Sequence, residues 1–154
     1  MQDIKLIVSE VTGILTDGTN FIDELGNVPF KKLYLEDFEA VNELKRQGFK
    51  VVFLSTDNSI NYHLFRRKNI PFYWAQKDKY KVLLEIVRRY NVTLDEVAYV
   101  ASSISDIKCA TTVPVSFCPP NSNVQLLNIC TVLESKSGEG VLTDLYLRYF
   151  RGVN

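Results

Sequence analysis

Short aliphatic runs, spaced by segments of helical period, constrain this chain more than any other feature. Residues 4–8, 50–54, 98–101 and 113–117 are nearly continuous in apolar side chains. Such runs read as strands buried on both faces, the pattern of parallel sheets covered by helices. Residues 71–74, Pro-Phe-Tyr-Trp, form a shorter candidate strand. Its aromatic side chains Tyr73 and Trp74 are expected in the core.

Helices are expected between these runs. Residues 37–47 run to Gly48, a stop signal. Residues 59–68 follow possible caps at Asp57 and Asn58. Residues 79–90 place Tyr80, Leu83, Leu84 and Val87 on one face. Thr93-Leu94-Asp95-Glu96 has capping-box spacing and opens a short turn before the next strand. Residues 123–129 and 141–150 complete the set. Alternating strands and helices imply a parallel sheet with right-handed crossovers. The expected architecture is therefore α/β, a three-layer Rossmann-like sheet with helices on both faces. At 154 residues it is expected to be a single domain.

One segment breaks the alternation. Residues 19–35 carry a polar turn around Gly26-Asn27 between two short apolar stretches, which reads as a β-hairpin insertion. A two-stranded ribbon is too small to bury Phe21, Ile22, Phe30, Leu33 and Leu35 by itself. They are expected to pack on the body or on another subunit.

Composition excludes several classes. Formal net charge is zero and the basic residues are scattered, which argues against nucleic-acid binding. Arg66-Arg67-Lys68 reads as a solvated helix face. No apolar run is long enough for a membrane span, and the first residues lack the pattern of a secretory leader. Cys109, Cys118 and Cys130 are widely spaced without a Cys-x-x-Cys pair. They read as buried, reduced thiols of a cytoplasmic protein. His63, the one histidine, reads as a surface or packing residue, which leaves Ser102 and Ser103 without a Ser-His pairing.

The chemistry-bearing segment is residues 9–18, Ser-Glu-Val-Thr-Gly-Ile-Leu-Thr-Asp-Gly, directly after the first strand. It resembles the Asp-x-Asp-Gly-x-x-Thr-Asp-Gly loop of haloacid-dehalogenase-like phosphatases. Gly13, Leu15, Thr16, Asp17 and Gly18 keep the frame. Further blocks agree in order and spacing. Lys77-Asp78-Lys79 is similar to a Lys-Asp-Lys block, and Val97-Ala98-Tyr99-Val100 to the strand before an acidic motif. Ser137-Gly138-Glu139-Gly140-Val141 is similar to a late Gly-Gly-Arg-Gly-Ala turn. With the hairpin as its insertion, the chain resembles the 3-deoxy-manno-octulosonate-8-phosphate phosphatase family. That family's domain also occurs at the C-terminus of acylneuraminate cytidylyltransferases. The resemblance implies a cap-less domain, assembly as a homotetramer through the hairpin, and magnesium-dependent hydrolysis of sugar-acid phosphates.

The residues at the matching positions differ from those such chemistry needs. Glu10 stands at the position of the nucleophilic aspartate that would attack phosphorus. Its extra methylene displaces the attacking oxygen by roughly 1–1.5 Å, and in-line transfer loses about 10²-fold for such a displacement. Thr12 stands at the position of the general acid. Ser55 and Lys79 keep the two phosphate-binding positions, but Thr56-Asp57 replaces a Gly-Arg pair. Ser102 and Ser103 replace two magnesium-facing aspartates, leaving Asp106. Glu139 replaces the arginine of the late turn. Carboxylate count largely sets affinity for hard cations. No cofactor is therefore expected, or magnesium only weakly, through the degenerate set Glu10, Thr12, Ser102, Ser103 and Asp106. Three functions stay open: a pseudoenzyme that oligomerises or regulates, with a sugar-activating enzyme as one candidate partner; a slow or altered phosphatase; and a metal-free sensor of a sugar acid or anion.

Overall fold

The computed structural model describes residues 3–153. Six parallel strands form one sheet in the order β3-β2-β1-β4-β5-β6. They are β1 (Leu6–Ser9), β2 (Lys50–Ser55), β3 (Phe72–Trp74), β4 (Val97–Val100), β5 (Val115–Cys118) and β6 (Thr131–Val132). The central strands β1 and β4 are wholly buried, which is why their sequences are apolar throughout rather than alternating. Successive side chains enter two different cores. Ile7, Phe53, Val100 and Phe117 pack with Phe38, Val41, Leu44, Phe65 and Leu142 on one face. Leu6, Val8, Leu54 and Tyr99 pack with Leu83, Ile86, Ala110 and Leu126 on the other. The first face is covered by α1 (Glu36–Arg46), α2 (Asn61–Lys68) and α6 (Val141–Leu145), the last continuing as a π-helical turn, Tyr146–Phe150. The second is covered by α3 (Lys79–Arg89), α4 (Ile107–Thr112) and α5 (Val124–Leu127). The expected three-layer parallel fold is thus the observed one.

Helix boundaries shift where local chemistry differs from the sequence signal. Asp57 does not cap α2. Its Oδ1 accepts from Ser59 N at 2.8 Å, and Ile60 enters the helix at φ 67°. The capping box at Thr93 and Glu96 is present. A second one, Ser103 with Asp106, opens the turn Ile104–Asp106 that leads into α4. Neither α4 nor β6 was expected, because six and two residues are too short for periodicity to register.

Residues 19–35 double back but form no β-ladder. The turn is a loop closed by Asp23, whose Oδ1 accepts from Leu25 N at 3.0 Å and Asn27 N at 2.8 Å. The Phe21 and Phe30 rings meet at 4.7 Å. An isolated ribbon is marginal without a third strand, and Pro29 removes one ladder donor. The excursion is held to the body by Lys31, which pairs with Asp57, and by Leu33 against the first core. Phe21, Ile22, Phe30 and Leu35 remain more than half exposed.

Asp37, fully buried in the first turn of α1, accepts from the Thr143 N–H and hydroxyl, both at 2.9 Å. It thereby joins α1 to the start of α6. Its Oδ2 is buried without a partner, and burial raises its carboxyl from 3.8 to about 6. A raised carboxyl favours folding below pH 4, and that advantage is lost as pH rises through 6. At neutral pH it costs folding about 3 kcal/mol. Asp37→Asn keeps an acceptor for Thr143. It should therefore be near neutral at pH 4 and stabilising by up to about 3 kcal/mol at pH 7.5, measured by urea unfolding across that range. A pH-independent difference would contradict this assignment.

The cysteines correct one expectation. All three are reduced, but the Cys118 thiol at the end of β5 lies beside that of Cys130, just before β6, and Cys130 is half-buried. The neighbouring Cys118 thiol lowers the Cys130 thiol below its usual value, whereas burial pushes Cys109 up to about 12. Iodoacetamide at pH 7.5 should therefore label Cys130 first and leave Cys109 untouched, as read by peptide mass spectrometry.

Candidate functional site

The site lies at the carboxyl edge of the sheet, where parallel α/β folds gather their loops. Glu10 follows β1 directly, and its N–H donates to Val100 O at 3.0 Å. The next residues turn sharply through Gly13, at φ 81°. A Cβ there would come within 2.8 Å of Ser102 Oγ, so glycine is required on both conformational and steric grounds. Thr16 Oγ1 closes the turn by accepting from Gly13 N at 3.3 Å and Gly18 N at 3.2 Å. Gly138, at φ 73°, packs against this loop, and a Cβ would stand 2.7 Å from Asp17 N. These contacts give the frame residues a local reason: they hold one compact loop against the late turn.

Beneath that loop is a buried network of charge. The Lys79 ammonium pairs with Glu10 Oε2 and lies 2.6 Å from Asp106 Oδ1. All three side chains are 3% exposed or less. Glu10 Oε1 accepts from Val11 N at 2.8 Å and Thr12 N at 3.3 Å. Asp106 Oδ1 also accepts from the Tyr99 hydroxyl at 2.8 Å. Its Oδ2 accepts from the N–H groups of Ser102 and Ser103, both at 3.0 Å. Burial and the nearby Asp106 charge raise the Glu10 carboxyl. Burial works against the Lys79 charge, but Asp106 and Glu10 outweigh it and keep the ammonium protonated.

Above the network is an open cavity of about 450 Å³. Glu10, Thr12, Ser102 and Ser103 line it, together with Asp17, Thr56, Asp57, Asn121 and Ser137. Ser55 and Lys79 are not among the lining residues. Ser55 is 1% exposed, and its hydroxyl accepts from Asp57 N at 3.2 Å. Ser102 Oγ donates to the Thr12 carbonyl at 2.6 Å. Glu139 is exposed and outside the lining, so it does not act on the cavity at contact range. Among the described residues, no group of three or more His, Cys, Asp or Glu side chains is placed to hold a metal ion.

The structure thus brings Glu10, Thr12, Ser102, Ser103 and Asp106 together with Lys79. Phe30 and Leu33 line a separate cavity beside Ile60 and Leu64. His63 is exposed, as expected. Trp74 is not a core residue: it is 48% exposed, and its indole donates to the Thr56 carbonyl at 3.0 Å. Tyr99, Asn121 and Ser137 are participants the sequence did not single out. Tyr99 reads as an ordinary strand aromatic until its hydroxyl is seen on Asp106. Asn121 Oδ1 accepts from Ser137 N and Oγ at 3.0 and 3.1 Å, a contact without any local sequence signal.

Known structures share this fold. The 3-deoxy-D-manno-octulosonate 8-phosphate phosphatase of Haemophilus influenzae, solved with cobalt bound, superposes with a TM-score of 0.87 at 22% identity. It covers 94% of this chain and 85% of the other. The enzyme of the same name from Moraxella catarrhalis, solved with magnesium, phosphate and the sugar acid, gives 0.86 at 21% identity. It covers 94% and 84%. The fold is that of the haloacid-dehalogenase-like phosphatases. In sequence, the Haemophilus influenzae phosphatase is 22% identical over 151 residues, covering 94% of this chain and 82% of the enzyme. N-acylneuraminate cytidylyltransferase A of Danio rerio is 27% identical over 128 residues, covering 81% of this chain. The match spans 30% of that relative's length. No family model matches the sequence. No helix among the described residues is long and apolar enough to cross a membrane.

Proposed function

We propose that this chain is a catalytically degenerate relative of sugar-acid-phosphate phosphatases, with an oligomerising or regulatory role in sugar-acid metabolism of the Kdo or sialic acid type. The observation that carries the reading is Lys79 clasped between Glu10 and Asp106. In the chemistry implied by the resemblance, a lysine at this position binds phosphoryl oxygens and the carboxylates attack phosphorus and bind metal. Here each satisfies the other. The Thr12 carbonyl is likewise occupied by the Ser102 hydroxyl.

Magnesium fits these residues poorly. It needs oxygen ligands in near-octahedral order, typically one or two carboxylates and several waters. The two candidate carboxylates share a buried ammonium, and Asp106 accepts five hydrogen bonds. Thermal melting in 10 mM magnesium chloride tests this. A shift below about 1 °C is expected, because a ligand that does not bind the native state cannot stabilise it. A rise of several degrees, saturable in magnesium, would contradict the reading.

Phe21, Ile22, Phe30 and Leu35 are exposed on one excursion, apolar surface of the kind that marks interaction sites, and support the oligomerising role. A homotetramer packed through four such excursions would cover it, and a closed assembly could pair the backbone that lacks a ladder here. Replacing residues 20–32 with a short Gly-Ser turn should give a monomer with an intact core by light scattering and circular dichroism. A native chain that is already monomeric at micromolar concentration would remove the scaffold role. The similarity to part of a cytidylyltransferase makes a sugar-activating enzyme the partner to test first.

A further inference from the structure

The cavity above the buried network has a composition that selects its ligand. Seven of its lining side chains, those of Thr12, Asn20, Thr56, Ser102, Ser103, Asn121 and Ser137, are neutral hydroxyls or amides. Among the described residues, no lysine or arginine lines it. The ammonium beneath it, Lys79, pairs with Glu10 and Asp106, and Lys31 beside it pairs with Asp57. A phosphate entering here would meet carboxylates and find no free cation, so binding would cost desolvation without return. A cation fares little better. Glu10 and Asp57 already have counter-ions, and Asp17, which accepts from Thr19 on Oδ1 at 2.9 and 2.6 Å, is exposed, so that solvent and salt screen its charge.

One group in the lining is left unsatisfied. Thr12 Oγ1 is buried and has no hydrogen-bond partner. Buried hydroxyls without partners are uncommon and costly. Thr12 lines the cavity, and a turn about its χ1 would carry this hydroxyl from its closed position to a ligand there.

We infer that this cavity binds an uncharged polyhydroxyl ligand of about monosaccharide size, a neutral sugar or polyol, rather than a sugar phosphate. Each hydroxyl of such a ligand both donates and accepts, matching the serine and threonine hydroxyls, the Asn121 amide and the Asp17 carboxylate. A volume of about 450 Å³ lies in the lower part of the range for small-molecule sites. The inference rests on the preceding reading, that the site does no phosphoryl transfer, and narrows it to a ligand class.

The test is titration of the ¹⁵N-labelled full chain with D-mannose, D-galactose, D-mannitol, N-acetylglucosamine, D-mannose 6-phosphate and D-glucosamine, followed by NMR. At least one neutral compound should shift the amides of Thr12, Ser102 and Ser137 with saturation. D-mannose 6-phosphate and D-glucosamine should bind at least about 10-fold more weakly than that compound, the value of one charge-related mismatch or lost hydrogen bond. Thr12→Val, which keeps the side-chain shape, should weaken the neutral ligand about 10-fold. Thr56→Ala, at an exposed position of the lining, should also weaken it and guards against a folding defect in the first variant. Failure of all four neutral compounds, tighter binding of the phosphate or the amine, or binding indifferent to both variants would overturn the inference. Turnover of D-mannose 6-phosphate would instead overturn the preceding reading, and phosphate monitored in the same tubes separates the two.

Discussion

Lys79→Met is expected to lower stability by about 3–5 kcal/mol, the cost of leaving buried charge uncompensated. Lys79 is 2% exposed and serves two carboxylates that are equally buried. Without it, Glu10 and Asp106 face each other in an apolar setting, and like charges so placed cannot both ionise cheaply. Glu10→Gln gives the contrasting result. It leaves a balanced Lys79–Asp106 pair, keeps an acceptor for the Val11 and Thr12 N–H groups, and removes the surplus negative charge, but it turns an amide NH2 toward the Lys79 ammonium, donor against donor. Its expected cost is about 1–2 kcal/mol. Urea unfolding of the two variants gives the comparison directly. Similar losses in both, or a mild loss in Lys79→Met, would mean that the lysine is not the charge that holds the network.

Restoring the four aspartates implied by the resemblance should have the second large effect. Glu10→Asp, Thr12→Asp, Ser102→Asp and Ser103→Asp together add three negative charges beside Asp106 and remove the Ser102 hydroxyl from the Thr12 carbonyl. In the absence of metal the combined variant should lose several kcal/mol through like-charge repulsion in a partly buried place. Millimolar magnesium should return much of it, because carboxylates are then available to a hard cation. Calorimetric melting with and without magnesium reads both effects. If the native chain gains as much from magnesium as the restored one, the four positions are not what limits metal binding.

The fold was legible because its signals are physical and local. Aliphatic runs at residues 4–8 and 98–101 predict buried parallel strands, and β1 and β4 are fully buried. The loop frame was legible for the same reason: Gly13 and Gly18 adopt positive φ, which the sequence announces by glycine itself. Long-range pairing was not legible. Nothing near Lys79 in sequence says that it meets residues 69 and 27 positions away. Nothing in widely spaced cysteines says that Cys118 and Cys130 touch. The excursion at residues 19–35 shows a further limit. Short apolar stretches on either side of a polar turn suggest a hairpin, but strand pairing also needs a neighbour to finish the sheet, and a single chain supplies none. Asp37 was invisible as a special residue because its partner, Thr143, is 106 positions away.

The most direct measurement is phosphate release by the purified native chain from p-nitrophenyl phosphate and a panel of sugar-acid and sugar phosphates, with and without 5 mM magnesium chloride. A site whose lysine and carboxylates neutralise each other should give turnover far below 1 s⁻¹, the low end for typical enzymes, with no response to magnesium. Magnesium-dependent turnover above about 1 s⁻¹ on any of these substrates, abolished by Glu10→Gln, would contradict the account and make Glu10 a working nucleophile.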